Sequence, residues 1–166
     1  MNIRYKNDRL NMCDSNIISK FPSAFDSNRR TKRMIKESKL IRGNIYGAII
    51  RSIRTNRYLM VKGRESGKYS FPKGHIEPYE SPIDCVIREL YEETGICYTP
   101  NIEMKEVIKS RIGSYVYCET DEEIPVNIID SKEIAEAGWY SEKDITTMIL
   151  NADASYYLRQ SGCRGC

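Results

Sequence analysis

The segment from Ser81 to Gly95 constrains this chain more than any other. Ser81 followed by Pro82 is a helix-start signal, with serine as N-cap and proline at the first helical position, and Gly95 is a stop. At roughly 100° per residue, Ile83, Ile87, Leu90, Tyr91 and Thr94 share one face that can pack on a sheet. Glu89 and Glu93 point to another side, with Glu92 beside them. Like charges one helical turn apart repel, so three carboxylates on an exposed side need an offset. Solvent plus Arg88 is one such offset. A divalent cation is the other, and hard oxygen donors without a nearby His or Cys pair point to Mg²⁺ or Mn²⁺ rather than zinc.

Strand-like segments surround this helix. Ile45 to Ile53 and Arg57 to Lys62 form a hairpin pattern across Arg54-Thr55-Asn56. Tyr69-Ser70-Phe71 reads as a short strand ended by Pro72 and Gly74. Ile102 to Ile112 and Tyr115 to Glu119 predict a second hairpin across Gly113-Ser114, and Ile124 to Ile129 and Glu133 to Tyr140 carry further strand character. Ser141 opens a short helix, and Ala152 to Gln160 predicts a last one. This order implies an α+β fold with a mixed sheet and helices packed on it.

A length of 166 residues with 40% hydrophobic and 30% charged residues suits one domain. No apolar run of about 18 residues is present, so no membrane partner is expected. No signal-peptide pattern opens the chain, and the six cysteines are then expected as reduced thiols in a cytoplasmic setting. Cys163-x-x-Cys166 lacks a second Cys/His pair and reads as part of a flexible tail over 161–166. With His75 as the single histidine, HExxH zinc proteases and C2H2 fingers are excluded.

Charge divides the chain. Residues 1–44 hold eleven Lys/Arg against four Asp/Glu, a balance of +7, and the remaining fifteen against nineteen leave −4. The polar stretch 1–43 is thus a basic arm, densest at Arg29, Arg30, Lys32 and Arg33. It reads either as a solvated tail or as a phosphate-contacting segment for RNA. The folded domain is expected over 44–160.

From Gly74 the sequence runs five residues to Glu80, seven to Arg88-Glu89-Leu90, one to Glu92-Glu93, and one to Gly95-Ile96. This spacing resembles the Nudix box at every fixed position. The resemblance implies a Nudix fold, a mixed sheet between helices, and metal-dependent hydrolysis of a diphosphate. It assigns Glu89, Glu92 and Glu93 as ligands of Mg²⁺ or Mn²⁺, with Glu89 and Glu93 also catalytic. Glu80 is matched as the brace of Arg88, and Gly74 and Gly95 as turn glycines. Lys73, beside the box, is read either as a substrate-phosphate contact or as a surface lysine.

Flanking segments resemble the mRNA-decapping branch: Tyr46-Gly47-Ala48-Ile49-Ile50, Phe71-Pro72-Lys73-Gly74, Asp84 to Glu89, and Glu133-Ile134 before Trp139. That likeness implies a capped RNA 5′ end as substrate and Glu133 as general base, with Glu136 in reserve; Trp139, a lone tryptophan in a strand, reads as core rather than as a base-stacking platform. Pro72 to Pro78 is also similar to diadenosine-tetraphosphate and diphosphoinositol-polyphosphate hydrolases, which take small anions. A Nudix-like RNA-binding module without turnover is the alternative of another class.

Overall fold

The computed structural model describes residues 44–110 and 112–162. The basic arm, with Arg29, Arg30, Lys32 and Arg33, and the pair Cys163 and Cys166 lie outside the described residues. The elements are β1 (Ile45–Ser52), β2 (Arg57–Gly63), β3 (Tyr69–Ser70), β4 (Lys73–His75), α1 (Pro82–Thr94), β5 (Glu103–Lys109), β6 (Gly113–Thr120), β7 (Ile134–Ser141), α2 (Glu142–Ile145) and α3 (Ala152–Gln160).

The sheet is mixed and runs β3-β2-β1-β6-β5, with β4 also paired to β1 and β7 to β2. β1 and β6 are parallel from Ile45 opposite Gly113 to Ser52 opposite Thr120, and the other pairings are antiparallel. Alternation along β1 divides the core. Ala48 and Ile50 pack with Leu59, Val86 and Leu90 under α1, whereas Ile49 packs with Phe71, Tyr115 and Leu158 under α3. Helices therefore cover both faces, and the expected α+β sandwich is the observed fold.

α1 begins and ends as its sequence signals dictate. The Ser81 hydroxyl accepts from the Asp84 amide at 3.3 Å. Gly95 adopts φ 69°, and its amide donates to the Tyr91 carbonyl at 2.7 Å. The buried stripe, however, is rotated from the expected face. It comprises Cys85, Val86, Glu89, Leu90, Glu93 and Thr94, while Ile83, Ile87 and Tyr91 are half-buried. Two of the three glutamates expected on an exposed side are inside, because β4 supplies a polar wall for them.

β4 itself was not expected: Pro72 and Gly74 read as strand breakers, but Lys73 to His75 pair along the edge of β1. Ile124 to Ile129 is not a strand. It lies over the end of α1, where the Asn127 amide donates to Thr94 O at 2.8 Å and the Asp130 amide to Glu92 O at 2.8 Å, satisfying carbonyls that a helix end leaves unpaired. β6 starts at Gly113, so Gly113 and Ser114, expected as the turn, belong to the strand. Reduced thiols are found at Cys85 and Cys118, whereas Cys97 is disulfide-bonded, which corrects the expectation there. Among the described residues no helix is long and apolar enough to cross a membrane.

Candidate active site

The site forms where the N-terminal edge of β1, β4 and α1 meet. Pairing of β4 with β1 turns the Lys73 amide toward the helix, and that amide donates to Glu93 Oε2 at 3.0 Å. The next residue, Gly74, has no side chain, and a Cβ there would overlap the Glu89 carboxylate. Lys73 and Gly74 together therefore make a trough that admits two buried carboxylates. Glu89 is 8% exposed and Glu93 6%.

Their electrostatics follow from that burial. Desolvation pushes the Glu93 carboxyl up to about 8, opposed by the Lys73 amide and ammonium and reinforced by the charges of Glu89 and Glu133. Glu89 is raised for the same leading reason, with Arg88 opposing and Glu92 and Glu133 reinforcing. The site therefore holds more negative charge than its cations balance.

Arg88 is the local counter-charge. Its Nε and Nη2 donate to Glu80 Oε1 and Oε2 at 2.9 and 3.0 Å, a bidentate pair. Its Nη1 donates to Glu89 Oε1 at 2.6 Å and Glu92 Oε2 at 2.9 Å, and its Nη2 also reaches the His75 carbonyl at 2.9 Å. Glu80 is further fixed by the Glu77 amide at 3.0 Å. The expected Glu80–Arg88 brace is thus present in the geometry. His75 is exposed and meets the site through its carbonyl.

Glu133 lies in the turn before β7, and its charge is felt by both Glu89 and Glu93. Its turn is shaped by Asp130, which belongs to none of the sequence motifs above. Asp130 Oδ1 accepts from the Lys132 and Glu133 amides at 2.9 and 3.3 Å, and an Asp three residues ahead of the candidate base was the available signal. Glu136, the reserve candidate, is engaged elsewhere. It accepts from the Tyr69 and Tyr140 hydroxyls at 2.9 and 2.6 Å, which hold its carboxyl below the usual range. Trp139 packs against the α1-side core and donates from Nε1 to the Ile124 carbonyl at 2.9 Å.

Among the described residues no three Asp, Glu, His or Cys side chains converge as a ready-made metal set. Arg88, bonded to both Glu89 and Glu92, stands between the donors. Their chemistry still fits a hard divalent cation. Four carboxylates, Glu89, Glu92, Glu93 and Glu133, share one region, and the two buried ones are pushed up by burial first and by their carboxylate neighbours second. Arg88 engages only Oε1 of Glu89 and Oε2 of Glu92, so each carboxylate keeps a second oxygen that a cation could take while Arg88 stays paired with Glu80.

A carboxylate cluster on a strand–loop–helix, set in a mixed sheet between helices, defines a class of protein, and comparison identifies it. The NUDIX domain model matches residues 44–160. The chain belongs to the Nudix family, in which use of a divalent metal ion is general. It is similar to m7GpppN-mRNA hydrolase of Saccharomyces cerevisiae, 30% identical over 125 residues, covering 72% of this chain and 13% of that protein. It is also similar to mRNA decapping complex subunit 2 of Schizosaccharomyces pombe, 32% identical over 113 residues, 64% of this chain and 15% of that one. The chain therefore spans less than a sixth of the length of these relatives. Among solved structures, the C. elegans Ap4A hydrolase binary complex superposes with a TM-score of 0.58 at 20% identity, covering 70% of this chain and 94% of that one. This last likeness concerns the fold.

Proposed function

We propose that the chain is a Nudix hydrolase that cleaves a diphosphate bond in the 5′ cap of RNA, leaving a 5′-monophosphate on the RNA. The observation that carries this reading is the placement of Glu133. It lies within electrostatic reach of buried Glu89 and Glu93, in a chain 30% identical over 125 residues to a named mRNA-cap hydrolase. A cytoplasmic site of action goes with that substrate.

In this reading Glu89, Glu92 and Glu93 hold Mg²⁺ or Mn²⁺, with Glu80 retaining Arg88. Such an ion, when bound, would supply positive charge to the nonbridging phosphate oxygens and acidity to a nearby water. Glu133 takes the proton from that water as general base. The Lys73 amide holds Glu93 in place, and the Lys73 ammonium, near Glu93, offers positive charge to substrate phosphate. The basic arm, through Arg29, Arg30, Lys32 and Arg33, contacts phosphates further along the RNA.

A second reading has its own observation. Pro72 to Pro78 resembles the small-molecule hydrolases, and its His75 is exposed at the mouth of the site. One experiment decides. The full chain is assayed with cap-labelled RNA, free cap dinucleotide, diadenosine tetraphosphate and a diphosphoinositol phosphate. Faster turnover of capped RNA is expected. Much faster turnover of the small molecules would reject the RNA reading, and binding of RNA without any hydrolysis would place the chain among the non-catalytic modules.

A further inference from the structure

We propose that Arg64 is a positioning residue that holds Glu133 over the carboxylate cluster; this rests on Glu133 being the general base, as set out above. Arg64 follows directly on β2, and three of its groups converge on the Glu133 turn. Its main-chain amide donates to the Glu133 carbonyl at 2.7 Å. Its side chain spans that carbonyl on either side, Nε donating to Ser131 O at 2.8 Å and Nη2 to Ile134 O at 3.2 Å. A planar guanidinium with fixed N–H directions sets the spacing and tilt of the carbonyls it bridges, which an ammonium does not.

The turn needs such an anchor. Regular pairing between β2 and β7 slips at this point: Lys62 faces Glu136 but Gly63 faces Ile134, so Ala135 is left over as a bulge. A bulge re-aims the chain that leads into it and removes the ladder bonds that would otherwise fix Glu133. Arg64 replaces those bonds from the β2 side. From the opposite side the turn is tied to α1, since the Ile129 and Asp130 amides donate to Glu92 O at 3.1 and 2.8 Å. Glu133 is therefore slung between the strand end and the very helix that bears Glu89 and Glu93. Arg64 is exposed and spends its donors on backbone carbonyls, so its removal should disturb the turn and leave the core intact.

The test is a double-mutant cycle in the full chain, with steady-state kinetics on capped RNA and on diadenosine tetraphosphate and thermal unfolding as the control for folding. Arg64→Ala should lower kcat by on the order of 10- to 100-fold, the usual range when a supporting hydrogen bond behind a working group is lost. KM should change by less than about 2-fold, because the guanidinium does not touch substrate. In a Glu133→Gln background the same change should cost less than about 2-fold in kcat, since a residue that acts through Glu133 has nothing left to position. Arg64→Lys should restore only part of kcat. If Arg64→Ala unfolds, Asp130→Ala, which frees the Glu133 amide from the other side, takes its place in the cycle. Equal losses in both backgrounds, or a rise in KM at unchanged kcat, would overturn the positioning role while leaving the hydrolase reading intact. A fully active Glu133→Gln would likewise overturn the positioning role, and the base assignment with it, while leaving the hydrolase reading intact; a wild-type chain inactive on both substrates would overturn both.

Discussion

The Glu89 carboxylate lies against the bare backbone of Gly74, so close that a methyl group at Gly74 would occupy the same space. Gly74 sits in β4 with an ordinary strand pairing to Tyr46, so its requirement is for room and not for an unusual dihedral angle. Gly74→Ala should accordingly push Glu89 out of the trough and strain the β4–α1 contact. A loss of roughly 1–3 kcal/mol is expected, the range for overpacking a filled site. Urea unfolding would measure it, and hydrolysis should fall at the same time because Glu89 leaves its position.

Glu93→Gln separates stability from chemistry. The trough buries this side chain and favours its uncharged form, and an amide keeps the shape and can still accept from the Lys73 amide. Metal-free Glu93→Gln should therefore unfold at the same temperature as the wild type or slightly above it. Turnover should drop by at least on the order of 100-fold, since a lost metal contact removes several kcal/mol of transition-state stabilisation. A folded Glu93→Gln protein with normal turnover would reject the site.

The Glu80–Arg88 pair sets a pH dependence on the acid side. Burial alone would push the Glu80 carboxyl up, but the Arg88 guanidinium and the Glu77 amide outweigh it and hold the group below its ordinary value of 4.5. A carboxyl with a depressed folded-state pKa stabilises the fold fully above its unfolded value, and that contribution is lost as pH falls through the folded value. At pH 7, Glu80→Gln should cost on the order of 1–3 kcal/mol, as for hydrogen bonds to a charged group. The gap between the two proteins should close as pH is lowered toward 3. Denaturant midpoints of both proteins from pH 3 to pH 7 provide the check; a gap that stayed constant would show that the carboxylate charge is not what matters.

These residues also show what could be read in advance. Ser81, Pro82 and Gly95 announce α1 because caps act locally, and the box spacing places Glu80 opposite Arg88 because both lie on or beside one helix. The rotation of the buried stripe toward Glu89 and Glu93 could not be seen that way. Periodicity sorts glutamate to the outside, and only the Lys73 amide and the empty side of Gly74, brought up by an unexpected β4, make an inside position tolerable. The loop over Ile124 to Ile129 failed for a related reason. Its alternating apolar residues resemble a strand, but its amides are taken by the end carbonyls of α1. Arg64 gave no signal at all, because its partners are backbone carbonyls far along the chain.

Tyr79 carries a strain that substitution should relieve. The Glu80 amide donates to the Glu77 carbonyl at 3.1 Å, closing a turn with Pro78 at its second position and Tyr79 at its third. Tyr79 has φ 70°, the left-handed region in which a type II turn favours glycine, and its side chain is fully exposed. Tyr79→Gly should stabilise the domain by a few tenths to about 1 kcal/mol, the left-handed penalty less the greater chain entropy of glycine. Tyr79→Ala, which keeps the Cβ, should give no such gain. The pair of unfolding midpoints separates backbone strain from loss of the ring.

The basic arm should act on substrate binding and leave bond cleavage alone. Arg29, Arg30, Lys32 and Arg33 lie outside the box in sequence and outside the described residues, but they dominate a segment with a balance of +7. A long RNA offers a row of phosphates beyond the cap, whereas a cap dinucleotide offers none. Each phosphate neutralised on a single strand adds about 0.7 to the slope of log affinity against log salt. Replacing all four side chains with alanine in the full chain should therefore flatten that slope by up to about 3 for long RNA and raise its KM, with kcat unchanged. Hydrolysis of the dinucleotide should be the same in both proteins. Titrations over a range of KCl concentrations, with a long capped RNA and the dinucleotide in parallel, measure both. An unchanged salt slope would show the arm to be a bystander, and a matched loss on both substrates would show that it supports the domain instead of the RNA.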